Sequence, residues 1–223
     1  MYRLKVLLMA LFFSAPLLAP PLAAAKGDDL ARMRKFLTGL HSLQGQFVQH
    51  SVNAALGETH DAAGEVWIER PDRVRWHFKT PTEQDVLING GEMWVYSPEL
   101  EQVVIRRLAP GDLERTPLAF LAGVAALEDL YEMKELPPRG HEDEIQLLLT
   151  PKKEGGSFQS VSLRVLRDGL VLAGLEIVDQ VGNLTSITFH GLKTNQPVDP
   201  AHFTLNLPPG TQRIEQPTMG GGR

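Results

Sequence analysis

The chain has 223 residues, with 22 Lys and Arg against 27 Asp and Glu, a formal net charge of −5, seven histidines and no cysteine. That balance offers nucleic acid or an anionic membrane surface no general attraction. The missing cysteine excludes disulfides, thiolate nucleophiles and thiolate metal sites, so stability has to come from packing.

Arg3 and Lys5 precede an apolar run that reaches Leu22, and Ala23-Ala24-Ala25 follows. This is the order of a secretory signal peptide cut after Ala25, and Pro16, Pro20 and Pro21 disfavour a permanent transmembrane helix. Cleavage there leaves 20 basic and 27 acidic residues, about −7, and no cysteine to carry an acyl anchor. The expected organisation is a signal peptide over 1–25, a single domain over 26–210 and a flexible tail over 211–223. The expected product is a soluble monomer in the periplasm.

Asp28 or Asp29 can cap a helix in which Leu30, Met33, Leu37 and Leu40 recur at helical spacing, ending near Gly39. From there the period falls to two. Strands are expected near 43–53, 64–70, 73–79, 84–89, 92–97, 101–107, 131–136, 145–150, 158–165, 171–178, 184–191 and 202–207. Turn signals such as Arg70-Pro71-Asp72, Asn89-Gly90-Gly91, Asp168-Gly169 and Gln180-Val181-Gly182-Asn183 separate them at hairpin distances. Thr116-Pro117 opens the one clear interruption, where Leu118, Leu121, Leu127 and Leu130 share a helical stripe bent at Gly123. The pattern describes a mainly β fold, a single strongly curved antiparallel sheet of about 11–12 strands with short helices. A sheet that long is expected to curl or close.

Val66 and Ile68 share one side of their strand, with Glu65, Trp67 and Glu69 opposite; Val74, Trp76 and Phe78 alternate with Arg73, Arg75, His77 and Lys79. Leu163, Ile187 and Phe189 continue the alternation, which requires one dry face. That face is either a filled core or an apolar cavity roofed by helices and suited to an acyl chain; periodicity does not separate the two. Arg70 is out of character, because counting by two puts it with Val66 and Ile68. It either clasps carbonyls or carboxylates of a covering helix or snorkels into water at a frayed strand end.

No phosphate loop, nucleophile elbow or His-Glu-x-x-His appears. His141-Glu142-Asp143-Glu144 reads as a solvated turn, and the other histidines lack ligand spacing. Asp179 reads first as a strand end. No metal or cofactor is expected, and no enzyme.

A longer series carries more information. It runs Phe47-x-Gln49, then Gly64-x-Val66-Trp67-Ile68-Glu69-Arg70-Pro71, Arg75-Trp76-x-Phe78, Pro81, Gly90-x-x-Met93-Trp94-x-Tyr96 and Pro98-x-Leu100-x-Gln102. It continues with Leu149-Thr150-Pro151, Asp179-Gln180-x-Gly182-Asn183-x-Thr185 and Phe203-x-Leu205-x-Leu207-Pro208-Pro209-Gly210. In this order the residues resemble the LolA family of periplasmic outer-membrane lipoprotein carriers across nearly the whole chain after Ala25.

The resemblance implies an incomplete antiparallel barrel under a helical lid. It implies that the acyl chains of lipoproteins, released by an ATP-driven inner-membrane complex, are carried uncleaved to the outer-membrane receptor LolB. Arg70 falls on the family's lid-closing arginine. The acyl-cavity candidates are Phe47, Val66, Ile68, Val74, Trp76, Phe78, Trp94, Leu118, Phe120, Leu121, Leu163, Ile187 and Phe189, with Trp67 beside them. Ala62 stands where relatives often carry glycine, and whether an extra strand follows Gly210 is open. The absent cysteine argues against LolB itself. Two alternatives differ in kind: a periplasmic sensor or binding protein for other amphiphiles that hands nothing onward, and a hydrolase of lipid or glycan substrates.

Overall fold

A computed structural model describes residues 26–109, 127–137, 142–153 and 157–217. Helix α1 (Lys26–Thr38) opens the described chain. Its apolar stripe is the one the helical spacing predicts: Met33 and Leu37, with Leu40 just beyond the end, are 0–1 % exposed. The Gly39 amide donates to the Lys35 carbonyl as the helix stops.

Twelve strands follow among the described residues. The first six are β1 (Ser42–Val52), β2 (Thr59–Glu69), β3 (Arg73–Thr80), β4 (Gln84–Asn89), β5 (Glu92–Ser97) and β6 (Gln102–Arg107). A helical turn, Leu127–Leu130, leads into β7 (Tyr131–Leu136), β8 (Glu144–Pro151), β9 (Phe158–Leu166), β10 (Val171–Asp179) and β11 (Leu184–Thr194). β12 (Gln212–Gln216) comes last. All belong to one sheet in the order β12-β6-β5-β4-β3-β2-β1-β11-β10-β9-β8-β7. Two antiparallel meanders, β1–β6 and β7–β11, are therefore joined at the β1–β11 ladder, where Phe47 lies opposite Phe189.

Local chemistry sets the hairpins. Gly90 and Gly91 both take positive φ (60° and 83°) between the paired Asn89 and Glu92, the primed two-residue turn that matches strand twist. In the β1–β2 loop, Asn53 Oδ1 accepts from the amides of Ala55 and Leu56, an Asx turn.

The expectation of a strongly curved, purely antiparallel, incomplete barrel is corrected. The sheet is a single large open one, neither closed nor strongly curled, with β12 and β7 at opposite ends of a linear order. It is also mixed, because β12 joins β6 in parallel, from Gln212 opposite Gln102 to Gln216 opposite Arg106. Strand number alone suggested closure, whereas closure needs the two edges to meet in a consistent stagger. Here the apolar face is dried by a covering helix instead.

Two further expectations change, and a third falls mostly outside the described residues. Residues 202–207 are no strand: Pro200–Phe203 is a 3-10 turn capped by Asp199, whose carboxylate accepts from the Ala201 amide. Pro200 has no amide to give a ladder, and the alternation of Phe203, Leu205 and Leu207 does not by itself distinguish a strand from an extended loop. Residues 212–216, read as part of a loose tail, form β12. Of the second lid helix expected over 117–130, only Leu127–Leu130 is within the described residues, and it is a helical turn.

One apolar cluster occupies the face beneath α1. It unites Met33, Leu37 and Leu40 with Leu43, Phe47, Val66, Ile68, Val74 and Trp76 from the first meander. From the second come Ile145, Leu147, Leu149, Val161, Leu163, Val165, Ile187 and Phe189. A smaller cluster of Leu87, Val198 and Phe203, with Trp67, Trp94 and Leu205 packed on it, lies apart from the first. At the other end of α1, the buried Asp29 carboxylate pairs with Arg32 (3.3 Å) and Arg167. Arg167 reaches on to the Glu144 carbonyl at 3.3 Å, so the first turn of α1 is tied to the β8–β9 end of the sheet. A carboxylate in that turn also suits the positive end of the helix.

Candidate functional site: an aromatic face beneath a clasped helix

Three strands bring the aromatic residues together. Phe47 on β1 meets Trp76 at 4.7 Å and 69°, and Phe78 at 5.2 Å and 82°, both edge to face. Trp76 meets Phe189 of β11 at 6.1 Å. The contacts follow from register: Phe47 and Phe78 both lie opposite Gly64, which has no side chain to hold them apart.

Val66, Ile68, Val74, Leu163 and Ile187 complete the group of expected residues that the fold does bring together, all buried in the same cluster, with Phe78 partly buried against it. Trp76 is the polar exception. Its indole is 4 % exposed, and Nε1 has no hydrogen-bond partner among the described residues. A buried unmade hydrogen bond costs about 1–3 kcal/mol.

Arg70, just beyond the end of β2, points its guanidinium at the helix. Nη1 donates to the Leu37 carbonyl at 2.8 Å, while the Arg70 amide donates to the His41 carbonyl at 2.9 Å. Leu37 lies in the last turn of α1, where carbonyls have no intrahelical partner and the helix carries partial negative charge. Burial lowers the guanidinium's pKa from its ordinary value, but arginine keeps its charge in proteins. Its grip is a charge-assisted hydrogen bond in a partly dry place.

Asn195 does a second, neutral version of the same job, and sequence reasoning missed it. Nδ2 donates to the Gly39 carbonyl at 3.0 Å and Oδ1 accepts from the His41 amide at 2.7 Å. The residue takes φ of 55°, a conformation asparagine tolerates. The only local signal was an asparagine closing a strand before Gln196-Pro197. Its partners lie more than 150 residues away.

Trp94 and Trp67 are corrected. Trp94 stands opposite Leu87 in the β4–β5 ladder, and both belong to the smaller cluster. Their neighbours Val86 and Met93 pack on the main cluster instead. Trp67 stacks on His202 at 4.2 Å and 14°, with Arg75 over its ring at 5.7 Å. Arg75 also donates to Asp85 at 2.7 Å and to the His202 carbonyl at 3.1 Å. These tryptophans fasten the segment around Pro200–Phe203 to the sheet. Leu118, Phe120 and Leu121 lie outside the described residues.

Among the described residues no enzymatic constellation appears on the face. Glu144 leaves the acidic run at 141–144 to begin β8 and pairs with Arg164 at 3.3 Å. Asp179 is committed to its turn: its carboxylate accepts from the amides of Val181 (2.9 Å) and Asn183 (2.8 Å) and from the Asn183 side chain (2.8 Å). Desolvation alone would raise its pKa, but these hydrogen bonds outweigh it and hold the carboxyl below its ordinary value.

A carboxyl with a lowered folded pKa contributes stability above its unfolded pKa, about 4, and loses it as pH falls through the folded value. The difference in urea midpoint between the wild type and Asp179→Ala should therefore be constant from pH 7 to 5 and shrink below pH 4. A difference that persists unchanged to pH 2 would exclude the carboxylate as its source.

The comparisons with known proteins address the same chain. A family profile described as "Outer membrane lipoprotein carrier protein LolA" matches residues 38–206. The chain belongs to that family. It is 33 % identical over 204 residues to the outer-membrane lipoprotein carrier protein of Alkalilimnicola ehrlichii, covering 91 % of this chain and 90 % of the relative. The counterpart from Xanthomonas oryzae is 38 % identical over 197 residues, covering 86 % and 87 %.

A solved structure of an uncharacterized conserved protein from Thermus thermophilus shares the fold, with a TM-score of 0.52 at 14 % identity over 84 % of this chain and 96 % of that one. Members of the LolA family are carriers and not enzymes; their work is in the periplasm, with lipoproteins as cargo and the outer membrane as destination. Among the described residues no helix is long and apolar enough to cross a membrane. Nor does any cluster of three or more His, Asp or Glu among them offer a metal site.

Proposed function

We propose that the protein, its signal peptide removed after Ala25, receives lipoproteins from an ATP-driven inner-membrane complex and delivers them to the receptor LolB. The acyl chains lie on the aromatic face beneath α1. One observation carries the reading: a cation, Arg70, holds the last turn of the helix that roofs the largest apolar cluster.

The energetics demand both parts. A buried methylene contributes about 0.8 kcal/mol, so a sixteen-carbon chain is held by roughly 12 kcal/mol before opposing terms. Such a cargo needs an apolar host to cross water. It also needs a host that lets go without spending ATP. In this structure Phe47, Trp76, Ile187 and Phe189 already pack together at 1–7 % exposure, so cargo and helix compete for the same face. Loading has to displace α1 or its neighbours and break the Arg70 contact. Reclosure returns that energy and weakens net retention, because a ligand shifts the equilibrium only by its differential affinity for the two states.

The direct test is native mass spectrometry of the protein incubated with an acylated lipoprotein. A soluble one-to-one complex is expected, with its cargo passing to purified LolB on mixing. A protein that stays empty, or a complex that LolB does not unload, contradicts the carrier role.

A further inference from the structure

The orphaned donor on the dry face has a natural counterpart in acyl cargo. Trp76 sits in the middle of β3, opposite Val66 on one side and Val86 on the other, with the rings of Phe47 and Phe189 against it. Its Nε1–H finds no acceptor among the described residues. Buried donors are nearly always paired, and phenylalanine at this position would supply an apolar ring without the unmet hydrogen bond.

Resting on the reading of this face as the acyl site, we propose that Trp76 Nε1 donates a hydrogen bond to a carbonyl oxygen of the bound cargo. That carbonyl is the ester or amide joining an acyl chain to its head group. An indole nitrogen only donates and a carbonyl oxygen only accepts, so the two are complementary. A saturated acyl chain brings no other polar atom onto a dry face. The contact makes the site selective for acyl chains over plain hydrocarbon, and it fixes how far along β3 that chain lies. A site built to hydrogen-bond one group rejects the analogue that lacks it, because its own polar atom is then left unpaired.

An ester and an ether lysolipid with the same sixteen-carbon chain and head group, palmitoyl and hexadecyl lysophosphatidylcholine, differ in this carbonyl. Below their micellar concentrations, the wild type is expected to bind the ester about tenfold more tightly, the size of one hydrogen bond. In Trp76→Phe the preference should vanish, ester and ether binding with equal affinity, while an unchanged circular-dichroism spectrum and a cooperative melting transition report that the variant is folded. With the ester carbonyl labelled with carbon-13, its infrared stretch should move to lower frequency on binding the wild type and stay put on binding Trp76→Phe. Equal affinity of the wild type for ester and ether, or an ester preference that survives in Trp76→Phe, overturns the Trp76 contact and leaves the acyl site standing. If the wild type binds neither lipid, the acyl site falls and the contact with it.

Discussion

Arg70→Leu should accept lipoprotein as the wild type does and pass it to LolB at least tenfold more slowly. The substitution removes the bond from Nη1 to the Leu37 carbonyl, which belongs to the empty, closed arrangement. A hydrogen bond to a charged group contributes about 1.5–3 kcal/mol, and each 1.4 kcal/mol is a factor of ten. Loss of the clasp destabilises the closed state and leaves the cargo's own contacts intact, so retention strengthens by about ten- to a hundredfold. Asn195 still holds the Gly39 carbonyl and α1 still buries Met33 and Leu37, so the variant should remain folded. The measurement is transfer of radiolabelled lipoprotein from preloaded carrier to purified LolB. Transfer at the wild-type rate would falsify the clasp as a release device.

Gly64→Ala should be the most damaging small substitution in the sheet, at about 3 kcal/mol. A Cβ there would stand 1.9 Å from the His77 carbonyl oxygen and 2.9 Å from its carbon, both backbone atoms that no rotamer change can move. The β2–β3 pairing shifts register between Ala63 and Gly64, so the close approach is part of the ladder. The third nearest atom, the Phe78 Cα at 3.0 Å, is backbone as well, so relief requires β3 itself to move. In a domain of this size the melting temperature should fall by roughly 6–12 °C. Gly90→Ala is the contrast: its φ of 60° is strained for alanine, but no atom stands within 4 Å of a new Cβ, so about 1 kcal/mol is expected. Equal losses in the two variants would mean that the crowding at Gly64 is relieved elsewhere.

Much of the apolar face was readable in advance, because its logic is local. Val66 and Ile68, then Val74, Trp76 and Phe78, alternate with charged residues, and the wet side identifies the dry one. Arg70 stood out by the same count, a cation in the phase of Val66 and Ile68. Trp94 was not readable, because its strand is apolar on both sides. Its actual neighbours, Leu87 and Phe203, come from a face that no single strand announces. Trp67 was readable and still misassigned: its parity placed it opposite Val66, and its aromatic character suggested a cavity wall.

The strands from 43 to 191, the hairpin turns, the helix stripe and the family can all be read from the chain without its fold. Each of these is a matter of residues two to four positions apart, or of a series of short motifs in order. It took the folded molecule to show that the sheet stays open, that Gln212–Gln216 adds to β6 in parallel, and that Asn195 and Arg70 hold one helix end between them. Those outcomes depend on which distant segments meet, and the energy of such a meeting belongs to the pair and is written in neither segment alone.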